Sequence, residues 1–162
     1  MRQLTTNLVL AGILLATLFS VISATTVDAK TRPAAVRHIE INSYSVHATY
    51  CENSACEPVS LSIASGDGFI MYRWGDHREK VRLANIDAPS VSAKCVREQQ
   101  SAQLAIERLA RVLNGATFTM ARLHADPSGT IAVVSVDRHD VGHILSREHV
   151  VWPWEPRHRS WC

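Results

Sequence analysis

The pattern of hydrophobic and polar positions predicts short strands over much of the chain. From Val59 onward, LSIA, FIMYRW and HREKVRLANID are typical of strands, and turns at residues 65–68 and 75–76 separate them. The later segments TFTMARL and TIAVVSV predict two more strands, joined by the turn HADPSG. Residues 38–50 also favour β structure, but their alternation is poor and predicts no definite strand.

Two helices are predicted among these strands. Apolar residues recur every three or four positions from Cys95 to Leu113, which predicts a long helix over residues 92–113 that ends at Asn114-Gly115. Ser90 or Ser92 is the expected cap of that helix, and Asp140 can cap a second, shorter one. Short antiparallel strands with helices packed outside predict an α+β, mainly β fold around a small closed barrel.

The N-terminal segment is typical of an export signal. The apolar run LVLAGILLATLFSVI follows Arg2, and its length fits a signal-peptide core better than a membrane span. We expect cleavage after Ala29, with a second site after Ala24. This division gives a signal peptide at 1–29, an N-terminal extension at 30–58 and a folded domain at 59–162. The alternative is an uncleaved membrane anchor.

The chain contains four cysteines, and all of them follow the predicted signal peptide. An even number behind an export signal indicates two disulfides formed in an oxidising compartment, the periplasm or the medium. Cys51 and Cys56 can close a small loop, which leaves Cys95 and Cys162 to tie the C-terminus to the middle of the chain. The alternative is a zinc site that uses His47, Cys51 and Cys56. After cleavage we expect a monomer without stable membrane association.

Charge and composition give only limited information about function. The net charge of +2 is a weak indication of a nucleic-acid partner. Asp67 lies in a turn between glycines and Asp87 at the end of a later strand, and two such carboxylates are suitable ligands for a hard cation such as Ca²⁺. The planar guanidinium of Arg82 has paired N–H donors that suit a phosphate. The alternative is a turn-forming aspartate and a solvated arginine.

The order of these motifs resembles the signature of the staphylococcal nuclease (thermonuclease) family. GDGF followed by VRLANIDAP carries the resemblance, and the long helix, AVVSVDRHDVGHILSREHVVWPW and the Cys-terminated tail extend it over roughly residues 59–162. The resemblance implies a five-stranded OB-fold barrel with a long helix and a short C-terminal helix. It also implies calcium-dependent hydrolysis of DNA and RNA, with Asp67, Asp87 and the Ala88 carbonyl on the metal and Arg82 on the scissile phosphate.

Two positions depart from the family pattern. Ser90 stands where the family has the glutamate that orients or deprotonates the attacking water. The family's second arginine is also missing, because Thr130 replaces it or the residue has been dropped. General-base help and a fixed cation each contribute about 10²-fold or more, so we expect weak or absent hydrolysis. The candidates to take over these roles are Glu98, Arg122 and His124.

The tail combines aromatic and basic residues. Trp154, Arg157 and Arg159 are candidates for contacts with nucleic acid. The alternative is a tail that covers apolar surface and is held in place by Cys162. Three functions therefore remain open from the sequence: a slow exported nuclease, a non-catalytic module that binds nucleic acid or another anionic ligand, and an envelope interaction protein that uses only the scaffold.

Overall fold

A computed structural model describes residues 40–74, 77–156 and 160–162. The expected signal peptide, the first part of the expected extension and the predicted turn at 75–76 lie outside the described residues. The elements, in chain order, are β1 (Tyr44–Glu52), β2 (Ala55–Ser65), β3 (Gly68–Tyr72), β4 (Arg78–Leu83), β5 (Ile86–Asp87), α1 (Val96–Leu113), β6 (Thr117–Asp126), β7 (Gly129–Val136), β8 (His139–Asp140), α2 (Val141–Arg147) and β9 (Trp152–Pro153).

Six strands close into a barrel. The sheet order is β4-β3-β2-β1-β6-β7-β8, and β4 also pairs with β7 to complete the ring. The β1–β6 and β4–β7 pairs are parallel, and the remaining pairs of the ring are antiparallel. β5 and β9 form a separate antiparallel pair. The predicted α+β, mainly β, OB-like barrel with one long and one short helix is confirmed, with six strands in place of the expected five.

The additional strand is β1. It forms a hairpin with β2, so the boundary expected between residues 58 and 59 falls inside a barrel strand. Val46, Ala48 and Tyr50 are buried at alternate positions, and this places one face of β1 in the core. The alternation is hard to see in the sequence because the small Ala48 carries little hydrophobic signal at its inward position.

The two helices begin differently, because only α2 has a side-chain cap. α1 starts at Val96 with Cys95 at the N-cap position. The predicted cap, Ser90 or Ser92, is therefore wrong. Its buried side is the predicted apolar stripe, which includes Ile106, Leu109 and Leu113. At the start of α2, the Asp140 carboxylate accepts a hydrogen bond from the Gly142 amide at 2.8 Å, as predicted.

Both predicted disulfides are present. Cys51 pairs with Cys56 across the β1–β2 hairpin, and Cys95 pairs with Cys162. Disulfide sulfurs are not thiolate ligands, so the pairing excludes the zinc site built on Cys51 and Cys56. Such pairs are typical of proteins that fold in an oxidising compartment. Within the described part of the chain, neither helix has the length and apolar character needed to cross a bilayer.

The two disulfides should differ in their contribution to stability. The Cys95–Cys162 bond closes a loop with a sequence separation of 67 residues, against 5 for Cys51–Cys56. Loop-closure entropy predicts that removing the long-range bond costs about 4 kcal/mol and removing the short one about 2 kcal/mol. Urea denaturation of the Cys95→Ser/Cys162→Ser and Cys51→Ser/Cys56→Ser variants measures both values. Equal losses, or a larger loss for the hairpin bond, would contradict this account.

Candidate functional site

The turn between β2 and β3 presents Asp67 and is fixed by its own hydrogen bonds. The Ser65 hydroxyl donates to the Asp67 carboxylate, and the Asp67 amide donates back to Ser65 Oγ at 3.3 Å. The Asp67 carbonyl accepts from the Leu83 amide at 2.8 Å, which joins the turn to β4. Gly68 is required here, because a Cβ at this position would lie 2.5 Å from the Val81 carbonyl oxygen.

Arg82 lies beside this turn on the outer face of β4. Its Nη2 is 3.6 Å from Asp67 Oδ2, and its Nη1 is 3.5 Å from Ser128 Oγ in the β6–β7 turn. The Arg82 side chain remains 44% exposed. A cleft of about 250 Å³ adjoins it, lined by Asp67, Ile70 and Lys80 among others. The guanidinium is therefore oriented by two turns and still accessible to a ligand.

A second acidic turn lies on the other side of Arg82. The Ser128 hydroxyl and amide both donate to Asp126 Oδ1. Hydrogen bonds from the Ser128 side chain and amide, with a smaller contribution from the positive charge of Arg82, hold the pKa of Asp126 below its ordinary value. Neither Asp126 nor Ser128 was predicted as a site residue from the sequence, although an aspartate two residues before a serine in a turn is a sign of such hydrogen bonding.

The turn that carries Asp87 and Ala88 packs against the turn that carries Asp67. A Cβ placed on Gly66 would lie 3.3 Å from the Ala88 Cβ and 2.5 Å from the Ala105 Cβ of α1. Gly66 and Ala88 are the chain neighbours of Asp67 and Asp87, so the two predicted metal-binding segments meet here. Asp87 ends β5 and is the register partner of Trp152 in β9, which fixes its backbone.

Ser90 is exposed and is held by its own neighbours. Its amide donates to Glu98 Oε1 at 3.0 Å, and its hydroxyl lies 3.0 Å from the Ser92 hydroxyl. Glu98, in the first turn of α1, therefore places a carboxylate beside Ser90. The other Glu98 oxygen is 3.3 Å from Cys162 Sγ. This contact is not a hydrogen bond, since a disulfide sulfur carries no proton.

Thr130 faces away from Arg82. It is the register partner of Val81, and inward-facing Ala132 and Val134 follow it at alternate positions of β7. Its hydroxyl donates to Glu79, which also points inward. The register partner of Arg82 is instead Ile131. An arginine at position 130 would thus point towards Glu79 and away from Arg82.

The Arg122 guanidinium uses its N–H groups in a hydrogen-bond network with two glutamates and a tyrosine. Its guanidinium donates to both Glu79 oxygens, at 2.9 and 2.8 Å, to Glu52 and to the Tyr50 hydroxyl at 3.0 Å. These bonds raise the pKa of Arg122 and lower that of Glu79, while burial raises the pKa of Tyr50. Arg73 packs on the Tyr50 ring 4.9 Å from its centre. Arg122 is therefore not placed to replace a cation beside Arg82.

His124 is better placed than Arg122 to assist Arg82. It pairs with Ile131 across β6–β7, and Ile131 pairs with Arg82 across β7–β4. The imidazole is thus on the same outer face, two strand spacings or about 10 Å from Arg82. His124 is exposed. Of the two cations proposed as replacements, only this one shares a face with the candidate site.

The C-terminal tail packs against the segment around β5. The Trp154 amide donates to the Asn85 carbonyl at 2.8 Å, and the Trp152 and Trp161 rings meet edge to face at 5.3 Å. These contacts and the Cys162 disulfide favour a tail that covers apolar surface. Trp154 itself is 55% exposed, and the predicted nucleic-acid contacts Arg157 and Arg159 lie outside the described residues.

Comparison of the chain with models of known protein families finds no match, and comparison with curated proteins also finds none.

The contact of Gly66 with α1 generates a stability prediction. Gly66→Ala would put a methyl group 2.5 Å from the Ala105 Cβ, and this overpacking should cost about 1–3 kcal/mol. Ala105→Gly should cost about 1 kcal/mol through helix propensity alone. Because the second change removes the clash, the double variant should lose less than the sum of the two single losses in urea denaturation. Strict additivity would show that the two residues do not touch.

The Arg122–Glu79 pair predicts a dependence of stability on pH. Folding lowers the pKa of Glu79 from its ordinary value of 4.5. At a pH between the folded pKa and 4.5, the unfolded chain therefore binds more protons than the folded chain. Stability from Glu79 is therefore complete above about pH 4.5 and is lost as pH falls through the folded pKa. Glu79→Gln should flatten the fall in unfolding free energy below pH 4.5, with half-exposed Glu107→Gln as the control. An unchanged slope would contradict the assignment.

Proposed function

We propose that this chain is an exported, thermonuclease-like protein that binds a phosphodiester of nucleic acid at Arg82 and hydrolyses it weakly or not at all. The observation that carries the proposal is the position of Arg82, held by Asp67 and Ser128 with 44% of its side chain exposed beside a cleft. A guanidinium that is oriented but accessible is well suited to grip a phosphate.

The proposed function includes a divalent cation bound beside Arg82. Asp67 and Asp126 flank Arg82, so an incoming phosphate would meet two negative charges as well as one positive charge. A divalent cation on Asp67 would offset that repulsion. The donor chemistry fits Ca²⁺ in kind: Asp67, Asp87 and the Ala88 carbonyl offer hard oxygens, and water or the phosphate would complete the shell. When bound, such an ion polarises a phosphoryl oxygen as a Lewis acid.

The residues around Ser90 support reduced hydrolysis. The Ser90 hydroxyl contacts only another hydroxyl, that of Ser92, among its described side-chain partners, so no group there takes its proton. Glu98 is adjacent, but one of its oxygens accepts the Ser90 amide. The β7 residue that pairs with Arg82 is Ile131, and Thr130 points to Glu79, so β7 supplies no second guanidinium beside Arg82.

Export is part of the proposal. The two disulfides and the apolar segment before Ala29 support a signal peptide at 1–29 and residence in the periplasm or the medium. We propose a monomer without stable membrane association. The second candidate function is a non-catalytic module that binds nucleic acid or another anionic ligand, and it is favoured by an accessible Arg82 and by a Ser90 hydroxyl that contacts the Ser92 hydroxyl.

A restored site should gain calcium-dependent cleavage. We would combine Ser90→Glu with Glu98→Gln, which avoids two adjacent carboxylates, and with Ile131→Arg, which places a guanidinium on the face of Arg82. Relative to the unaltered protein, cleavage of plasmid and single-stranded DNA in Ca²⁺ should rise by about 10²-fold or more and vanish in EGTA.

The matched control replaces Ile131→Arg with Thr130→Arg, which adds the same side chain on the opposite face. We expect this control to gain less activity, and Asp87→Ala to abolish the gain. If neither combination cleaves DNA in calcium, and if Arg82→Gln leaves the affinity for DNA unchanged, the proposal fails. Binding that depends on Arg82 without any cleavage would favour the non-catalytic module.

A further inference from the structure

The outer face of β3 and β4 carries exposed aromatic and basic side chains in a row. On β4, Arg78, Lys80 and Arg82 are exposed at alternate positions, while Val81 and Leu83 face the core. At the end of β3, Tyr72 is 43% exposed, and Trp74 just beyond it is 72% exposed. We call Tyr72, Trp74, Arg78, Lys80 and Arg82 the basic–aromatic strip.

The strand register makes the strip continuous. Tyr72 pairs with Arg78, Ile70 with Lys80, and Gly68 with Arg82. Side chains that are partners in an antiparallel pair lie on the same face, so an aromatic ring and three cations share one surface. From Arg78 to Arg82 the strip spans about 13 Å at the rise of a β-strand.

Much of the charge of the strip is available to a ligand. Over the described ranges, neither Arg78 nor Lys80 forms an ion pair, in contrast to Arg73, Arg108, Arg111 and Arg122. Arg82 contacts Asp67 at 3.6 Å and keeps an exposed side chain. Glu79, between the two free cations, points inward to Arg122 and does not neutralise them on the outer face.

Two clefts give the strip a concave shape at both ends. One, of about 250 Å³, is lined by Ile70, Lys80 and Arg82, and the other, of about 400 Å³, by Ser60, Tyr72 and Trp74. Exposed rings beside unpaired cations, in a groove, are the elements that hold single-stranded nucleic acids without regard to sequence.

We infer that the basic–aromatic strip binds a single-stranded nucleic acid, with bases stacked on Tyr72 and Trp74 and phosphates on Arg78 and Lys80, and leads the strand to Arg82. The ring faces can stack only on bases that are not already stacked in a duplex, so single strands are the expected class. The inference rests on the proposed function in that the ligand is nucleic acid, but it requires no hydrolysis.

The first test measures the affinity of the mature chain for a fluorescent oligothymidylate and for a duplex of equal length, in EDTA. The single strand should bind more tightly. Trp74→Ala and Tyr72→Ala should each weaken single-strand binding by about tenfold, and Trp74→Phe should restore most of it. Leu104→Ala is the control, because Leu104 is also exposed, at 49%, but lies on α1 and outside the strip.

The second test measures how the affinity depends on salt. Each phosphate contact to a single strand contributes a slope of about 0.7 in log affinity against log salt, so Arg78→Gln/Lys80→Gln should lower the slope by about 1.4. Arg138→Gln/Arg147→Gln removes the same charge from exposed positions on the β7–β8 turn and α2, and should leave the slope nearly unchanged.

Several results would overturn the inference: no binding of the oligonucleotide, equal binding of the duplex, or losses in the two control variants as large as in the strip variants. The outcomes separate it from the proposed function. Single-strand binding that needs the strip, without cleavage in the restored variant, keeps the inference and rejects the nuclease framework. Calcium-dependent cleavage that is unaffected by the strip variants keeps the nuclease framework and rejects the inference about the strip.

Discussion

The packing of Gly66 against Ala88 and Ala105 is the contact on which the rest of the candidate site depends. It brings the turn before β3, the segment after β5 and helix α1 together at one point. A larger side chain would separate the two aspartate-bearing segments, because the nearest methyl carbon is already 2.5 Å from where a Cβ would be. Main-chain bonding of Asp67 to Leu83 then aligns the turn with β4 and sets Arg82 beside the carboxylate.

Where apolar residues are large and regularly spaced, the sequence predicted the fold well. Phe69 and Met71 on β3, and Val81 and Leu83 on β4, alternate clearly, and α1 has a continuous apolar stripe. The strand β1 was harder to recognise, since Ala48 takes an inward position that usually belongs to a larger residue. The start of α1 was placed too early because serine caps were expected, whereas Cys95 is at the N-cap without a side-chain bond.

The candidate site was predictable only in part, because the sequence does not give the pairing register of the strands. A motif places residues in order along a strand, but a shift of one position reverses the face on which a side chain lies. The motif predicts Asp67 and Arg82 at one site, and the two side chains lie 3.6 Å apart, while the roles assigned to them stay predictions. Thr130 and Ile131 could not be told apart from the sequence, and neither could the opposite environments of Arg122 and His124.

The Cys95–Cys162 bond has a practical consequence. Cys162 lies 3.3 Å from Glu98, and Glu98 accepts a hydrogen bond from the Ser90 amide, so the disulfide holds the segment around Cys162 beside the candidate site. Any affinity tag or fluorescent fusion appended after Cys162 would emerge at this place and crowd it. Reporter groups are better attached ahead of β1, and thiol reagents used during purification would loosen the same corner of the molecule.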